Sequence, residues 1–186
     1  MPETISQIVV NVDRGFTEAV HHLHSLGHTH LLYVDGPARS WSGREKRRVL
    51  TKACDALHMS LTVLATRKPD FAAGRQAASD IDTATTTCLV TFNDEVALGM
   101  LCAFRDAGID VPGQISVIGC DDSLPEGLAF PTLTSVDSSA QSLGALTASA
   151  ILAPDEHRLE VITTRLVVRD STGVVPHPFT QHPQTA

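Results

Sequence analysis

The chain has 186 residues, 42% of them hydrophobic and 19% charged, which suffices for one sizeable core or two small ones and excludes general disorder. Its formal charge of −7 argues against a chain that grips DNA by itself, because phosphate contacts need a basic face. Aromatic residues are scarce at 4%, so aliphatic side chains must build the core.

In chain order, "QIVVNVD" (7–13) reads as a buried strand. "GFTEAVHHLHSLG" (15–27) carries Phe16, Ala19, Val20, Leu23 and Leu26 at helical spacing, with Gly27 suited to the left-handed stop. "HLLYVDGP" (30–37) is a strand ending in a turn. "SGREKRRVLTKACDALHM" (42–59) is a helix with a stripe of Val49, Leu50, Ala53, Cys54 and Leu57. A strand over 61–66, a short helix over 71–81 and a strand over 87–92 follow. "NDEVALGMLCAFRDAG" (93–108) is a helix capped by Asn93 or Asp94 and stopped by Gly108. "ISVIGC" (115–120) is a strand and 132–137 is extended. "SAQSLGALTASAIL" (139–152) is a small-residue helix closed by Pro154, and 160–172 is the last extended stretch before a Pro-rich tail.

Strands and helices thus alternate almost strictly, and most strands are continuous apolar runs. That pattern predicts an α/β fold, a Rossmann-like parallel sheet with helices on both faces. In such sheets a ligand sits beyond the carboxyl ends of the strands. The residues there are Arg44 and Lys46 on the turn into a helix, which suit a ligand oxygen or are plain surface charge. Phe71 could stack on a ring or sit in the core. Asn93 could serve vicinal hydroxyls or only cap its helix, and Asp121-Asp122 could accept from hydroxyls or cap. The basic run Arg39, Arg44, Lys46, Arg47 and Arg48 reads as a solvated helix face.

Catalytic signals are missing: no nucleophile elbow, phosphate-cradling glycine loop, GxGxxG or HExxH occurs, and Asp121 and Asp122 are adjacent instead of opposed. The polar groups read as holding a small molecule and not as transforming it, so no enzyme and no cofactor are expected. Cys54, Cys88, Cys102 and Cys120 form no CxxC pair and read as buried free thiols. The stretch "AVHHLHSLGHTH" holds five of the nine histidines, but no Cys or carboxylate cluster completes a tetrahedral site, so a structural role is expected and no metal. With no signal-peptide pattern after Met1 and no apolar run of about 18 residues, a cytoplasmic protein is expected.

The segments "VVNVDRGFTEAVHHLHSLGHTHLLYVDGP", "VTFNDEVALGMLCAFRDAGIDVPGQISVIGCDDS", "PTLTSVDSSAQSLG" and "LVVRDST" resemble the effector-binding core of the lactose/galactose-repressor (LacI/GalR) family of bacterial transcription regulators, over about residues 6 to 173. The resemblance implies two Rossmann-like lobes closing on an effector, usually a sugar or nucleobase, in a dimer whose separate helix-turn-helix headpiece binds an operator. It implies effector contacts at Asn93, at Asp121 and at an arginine position that falls on Lys46, with Arg44 as fallback. Phe71 matches the family's aromatic, and Ser138 stands near the place of its usual glutamine.

Set against the family, the chain reads as truncated at the front, without the headpiece and most of the first lobe. The expected division is a first-lobe remnant at 1–29, the second lobe at 30–132, the crossover and returning helix at 133–158, an extended segment at 159–173 and the tail at 174–186. Such a chain is expected to bind no operator alone and to bind effector weakly. Its strand 7–13 and helix 139–152 should lack sheet neighbours, which favours a homodimer or domain swap. A free-standing sugar-binding or interaction lobe with no DNA role is the alternative.

Overall fold

The computed structural model describes residues 6–125, 127–152 (Gln141 by its backbone only) and 159–175. Pro154 and the tail beyond residue 175 lie outside them. Five strand–helix steps lead through β1 (Gln7–Asn11), α1 (Asp13–Ser25), β2 (His30–Asp35), α2 (Trp41–Ala56), β3 (Ser60–Ala65), α3 (Phe71–Ser79), β4 (Cys88–Thr91), α4 (Asp94–Asp106), β5 (Ser116–Asp121), β6 (Thr134–Asp137) and α5 (Ala140–Leu152). Two short strands close the described chain, β7 (Leu159–Thr163) and β8 (Arg165–Val167).

Six strands form one sheet in the order β3-β2-β4-β5-β6-β8, parallel except for β8, which runs antiparallel to β6. The order doubles back between β2 and β4, so their carboxyl ends open a crevice, the usual place for a ligand in such a sheet. The apolar runs explain the layering. Alternate residues of β2, β4 and β5 point to opposite faces, and both faces are covered. Leu31, Tyr33, Cys88, Val90 and Ile118 meet α1 and α2 through Phe16, Val20, Leu23, Val49 and Leu50. Leu32, Val34, Leu89 and Val117 meet α3 and α4 through Ala77, Val96, Met100 and Phe104.

Local signals set the helix ends. Ser40, Asp70 and Asn93 each accept a backbone N–H three residues on, at 3.1, 2.9 and 3.0 Å, and so start α2, α3 and α4. Gly27 and Gly108, at φ of +92° and +73°, close α1 and α4 with paired bonds back to the last turn. His58 takes the same left-handed position after α2, at φ 55°, where no glycine announces the stop.

Two expectations change. The segment 7–13 is half-exposed, not buried, and β1 does have a neighbour: it pairs in parallel with β7, Val9 opposite Val161. The single extended stretch 160–172 is two strands in two sheets, divided at Thr164, whose hydroxyl donates to Asn11 O (3.0 Å) and accepts from Gly15 N (3.1 Å). Within residues 6–29, α1 is packed into the core of the large sheet while β1 belongs to the separate two-stranded sheet.

The histidine cluster is absorbed into this framework. His22 and His30 each bond a hydroxyl, Thr172 and Thr62, both at 2.9 Å, while His21 and His24 are exposed. His28 is buried with Thr87 Oγ1 at 2.9 Å from Nδ1, and Gly173 O at 3.1 Å and Ser116 Oγ at 3.2 Å from Nε2. A carbonyl only accepts, so Nε2 carries the proton and Nδ1 accepts from Thr87. Burial, aided by the charge of His22, holds the His28 pKa below its ordinary value, whereas the bond to Gly173 O pulls it up. The folded state therefore resists protonation that the unfolded chain accepts. Stability is full above the ordinary histidine value and is lost as pH falls through it toward the lower folded value, at up to about 1.4 kcal/mol per pH unit for one proton. Thermal melts between pH 7.5 and 5 should show this fall, and His28→Gln should reduce it to the part left by His22, which burial also lowers; an equal slope in both proteins would refute the assignment. Among the described residues no group of three or more His, Cys, Asp or Glu is placed to hold a metal, and no helix is long and apolar enough to cross a membrane.

Candidate ligand-binding site

A cleft of about 860 Å³ opens where the crevice of the large sheet faces β1, β7 and α5. Its floor is made by Lys46 of α2 and by Cys120 and Asp121 at the end of β5. Helix α2 starts at its Ser40 cap and brings its second turn over the sheet edge, which sets Lys46 inward with 5% exposure. The turn feeding this helix is anchored by Asp35, a fully buried carboxylate that accepts from Gly36 N at 2.7 Å and is ion-paired with Arg47. Lys46 Nζ donates to Phe92 O at 2.7 Å and lies 4.3 Å from the centroid of the Phe92 ring and 5.7 Å from that of Phe16. A carbonyl and two aromatic faces therefore support an ammonium that has left water.

Asp121 is held at φ 107° and Asp122 at φ 51°. Two successive non-glycine residues in this region cost about 1–3 kcal/mol each, and such strain gathers at ligand sites. Burial raises the Asp121 carboxyl pKa, and the facing Lys46 charge pulls it back down. Ser138, beyond β6, donates to Asp121 O at 3.4 Å and also lines the cleft. Asp122 turns away and bridges Arg169 at 2.7 Å. At the rim Arg48 bridges both Asp13 (2.6 Å) and Glu45 (2.9 Å), so these exposed charges satisfy one another.

The structure thus brings together Lys46, Asp121 and Ser138 of the six residues singled out from the sequence. The other three are placed elsewhere. Arg44 is exposed, because two residues on a helix are about 200° apart and Lys46 has taken the inner side. Asn93 spends its amide oxygen on the α4 cap and its amide nitrogen on Pro69 O at 2.9 Å. Phe71 opens α3 and does not line the cleft. Sequence reasoning missed Trp41, Asn11 and the apolar wall of Val9, Leu143 and Val161. Trp41 carried a usable signal, a large aromatic directly after a helix cap at a strand's carboxyl end. The Asn11 contribution depends on a strand pairing across 150 residues of chain and had none.

Cys102 is half-buried instead of buried as expected, while the three buried thiols, Cys54, Cys88 and Cys120, are chemically quiet. Burial pushes Cys54 up to about 11 and Cys120 up to about 12, and Cys88 is raised further. A second cavity, about 540 Å³, lies under the loop 122–133. Its buried acid, Asp94, already accepts from Ser135 Oγ at 2.6 Å and Ser123 N at 2.7 Å, and its Asp122 and Arg169 are paired, so it offers a ligand fewer uncommitted groups.

Residues 20–172 match the family model described as a periplasmic binding protein-like domain. Among curated proteins, the chain is 32% identical over 169 residues to the HTH-type transcriptional regulator MalR of Streptomyces coelicolor, covering 85% of this chain and 49% of the relative. It is 26% identical to the lactose operon repressor of Escherichia coli, covering 97% of this chain and 51% of the relative. The chain therefore spans about half the length of these relatives, which are transcriptional regulators and not enzymes. Among solved structures, a LacI transcriptional regulator from a Rhodococcus species superposes with a TM-score of 0.77 at 28% identity, covering 91% of this chain and 71% of that one.

Proposed function

Because the chain belongs to the LacI/GalR regulator family, as its periplasmic-binding-protein-like effector domain, we propose that it senses a small neutral polyhydroxylated molecule, a sugar or close relative. Lys46 and Asp121 bind it on the cleft floor, with Ser138 beside them. The observation that carries this reading is the buried Lys46 ammonium set against a carboxylate on strained backbone. One donor cluster and one acceptor pair of opposite charge suit hydroxyl groups better than an ion of either sign. In this reading operator contact is made by a helix-turn-helix headpiece outside these 186 residues, in the cytoplasm, and two copies pair. The exposed side chains of Leu128 and Phe130, on the loop before β6, support pairing.

The test is calorimetric titration of the chain with lactose, maltose and methyl β-D-galactopyranoside, alongside sedimentation velocity. At least one sugar should give a saturable heat, with affinity weaker than micromolar, on a species of twice the chain mass. Submicromolar binding would contradict the weak-site expectation, absence of any saturable heat would overturn the effector reading, and a monomer would remove the dimer. A free-standing interaction lobe without a DNA role is the second reading, favoured by the exposed Ile151 and Leu152 at the end of α5. Translating the source DNA directly upstream of codon 1 separates the two: an in-frame helix-turn-helix supports the regulator, and a stop codon with a ribosome-binding site supports the lobe.

A further inference from the structure

Trp41 is the chain's one tryptophan in a protein with few aromatics, and it is 62% exposed. It is the first residue of α2, next to the Ser40 cap, and it lines the cleft on the same wall as Ser42 and Glu45. Among the described residues its indole takes part in no hydrogen bond, ion pair or ring contact. Leaving so much apolar surface in water is unfavourable, and nothing in the packing of α2 requires a ring there: the core face of that helix is supplied by Val49, Leu50, Ala53 and Cys54.

The rest of the cleft shows what the ring could meet. The facing elements β1, β7 and α5 contribute Val9, Val161, Leu159 and Leu143, with Asn11 the one polar side chain they add, while the polar groups Lys46, Asp121 and Ser138 lie at the floor. A ligand in this slot would meet apolar side chains on its walls and hydrogen-bonding groups at its floor. A saturated sugar ring is built this way, with C–H bonds gathered on a face and hydroxyls around the rim. The electron-rich indole face attracts those slightly positive C–H groups.

Resting on the effector reading above, we propose that Trp41 is the residue that stacks on the ring of the effector, so that the cleft selects pyranosides over open-chain polyols carrying the same hydroxyls. Phe71, which the sequence offered either for stacking on a ring or for the core, does not line the cleft. Trp41 supplies the flat surface in its place, from the helix that also carries Lys46.

Because there is one tryptophan, its fluorescence reports this position alone. The chain is titrated with methyl β-D-galactopyranoside, lactose and maltose, and with galactitol as the open-chain control, following emission and calorimetric heat in parallel. Emission should shift to the blue and saturate at the concentrations where the heat saturates, and galactitol should give neither response. Trp41→Phe should bind within about threefold of the parent and Trp41→Ala about tenfold more weakly. An exposed position makes both variants expected to fold, and a melt verifies it. If a pyranoside gives a saturable heat that Asp121→Asn abolishes, while emission is unmoved and Trp41→Ala binds like the parent, the stacking role is refuted and the effector reading stands. If Trp41→Phe loses as much affinity as Trp41→Ala, indole N–H bonding replaces stacking and the proposal also fails. No heat from any of the three pyranosides removes both.

Discussion

Gly99→Ala should lower stability by about 3 kcal/mol or more, and Gly74→Ala should do nearly the same. Helices α3 and α4 cross with their backbones in close approach. A methyl group on Gly99 would stand 2.1 Å from Phe71 O and 3.0 Å from Arg75 N, and one on Gly74 would stand 2.2 Å from Val96 O. These are backbone atoms, so no rotamer change can make room. The helices must separate, which opens the layer of Ala77, Ala78, Val96 and Met100 over the sheet. Two comparisons isolate the steric effect. Gly144→Ala in α5 meets nothing within 4 Å and should stabilise by about 0.5–1 kcal/mol through helix propensity. Gly108→Ala also meets nothing, but at φ +73° it should cost about 1 kcal/mol. Urea unfolding of the four variants measures this ranking, and a Gly99→Ala midpoint equal to that of the parent would show that the helix pair is not held as described.

Much of the fold is legible because its signals are local. The buried runs of β2, β4 and β5, the cap at Asn93, and the glycine stops at 27 and 108 each act within a few residues. What stayed illegible depends on distant partners or on exceptions. The stop at His58 uses a left-handed residue that is not glycine. The pairing of β1 with β7, and the break at Thr164 that sends β7 and β8 to different sheets, join parts of the chain about 150 residues apart. β3 lies at a sheet edge, so its apolar run is more exposed than continuous hydrophobicity suggests.

The site divides along the same line. Asp121 and Lys46 follow from strand-end logic, since both sit just beyond where a buried strand or its turn must finish. Asn93 shows the ambiguity of that logic. A short amide that caps a helix and one that meets a ligand look identical in sequence, and here the cap and Pro69 O consume it. Trp41 shows the opposite failure: placed within a basic run, it invited a reading as part of a solvated face.

Lys46→Met should leave the fold nearly intact and remove effector binding. The opposing terms decide this. Methionine keeps the apolar stem against Phe16 and Phe92 and relieves the cost of holding an ammonium at 5% exposure. Against that, Phe92 O loses its donor, worth about 1–3 kcal/mol if it stays dry, though it lies beside an open cleft that water can enter. The net change in stability should stay within about 1.5 kcal/mol. Binding has no such compensation, because the floor loses its buried cation and Asp121 loses the charge that draws its proton off. With only the Cys120 thiol hydrogen bond left to oppose burial, the Asp121 carboxyl moves further up, and less of it is ionised to accept from a hydroxyl. The affinity for whichever pyranoside gives a saturable heat should fall at least about thirtyfold, the loss expected for a charge-assisted bond of about 2 kcal/mol. Asp121→Asn should lose a similar amount, and the double variant should lose little more than either alone, because each single change already breaks the pair. Fully additive losses in that cycle would mean that the two residues act on the ligand independently, and unchanged affinity in Lys46→Met would place the ligand away from the cleft floor.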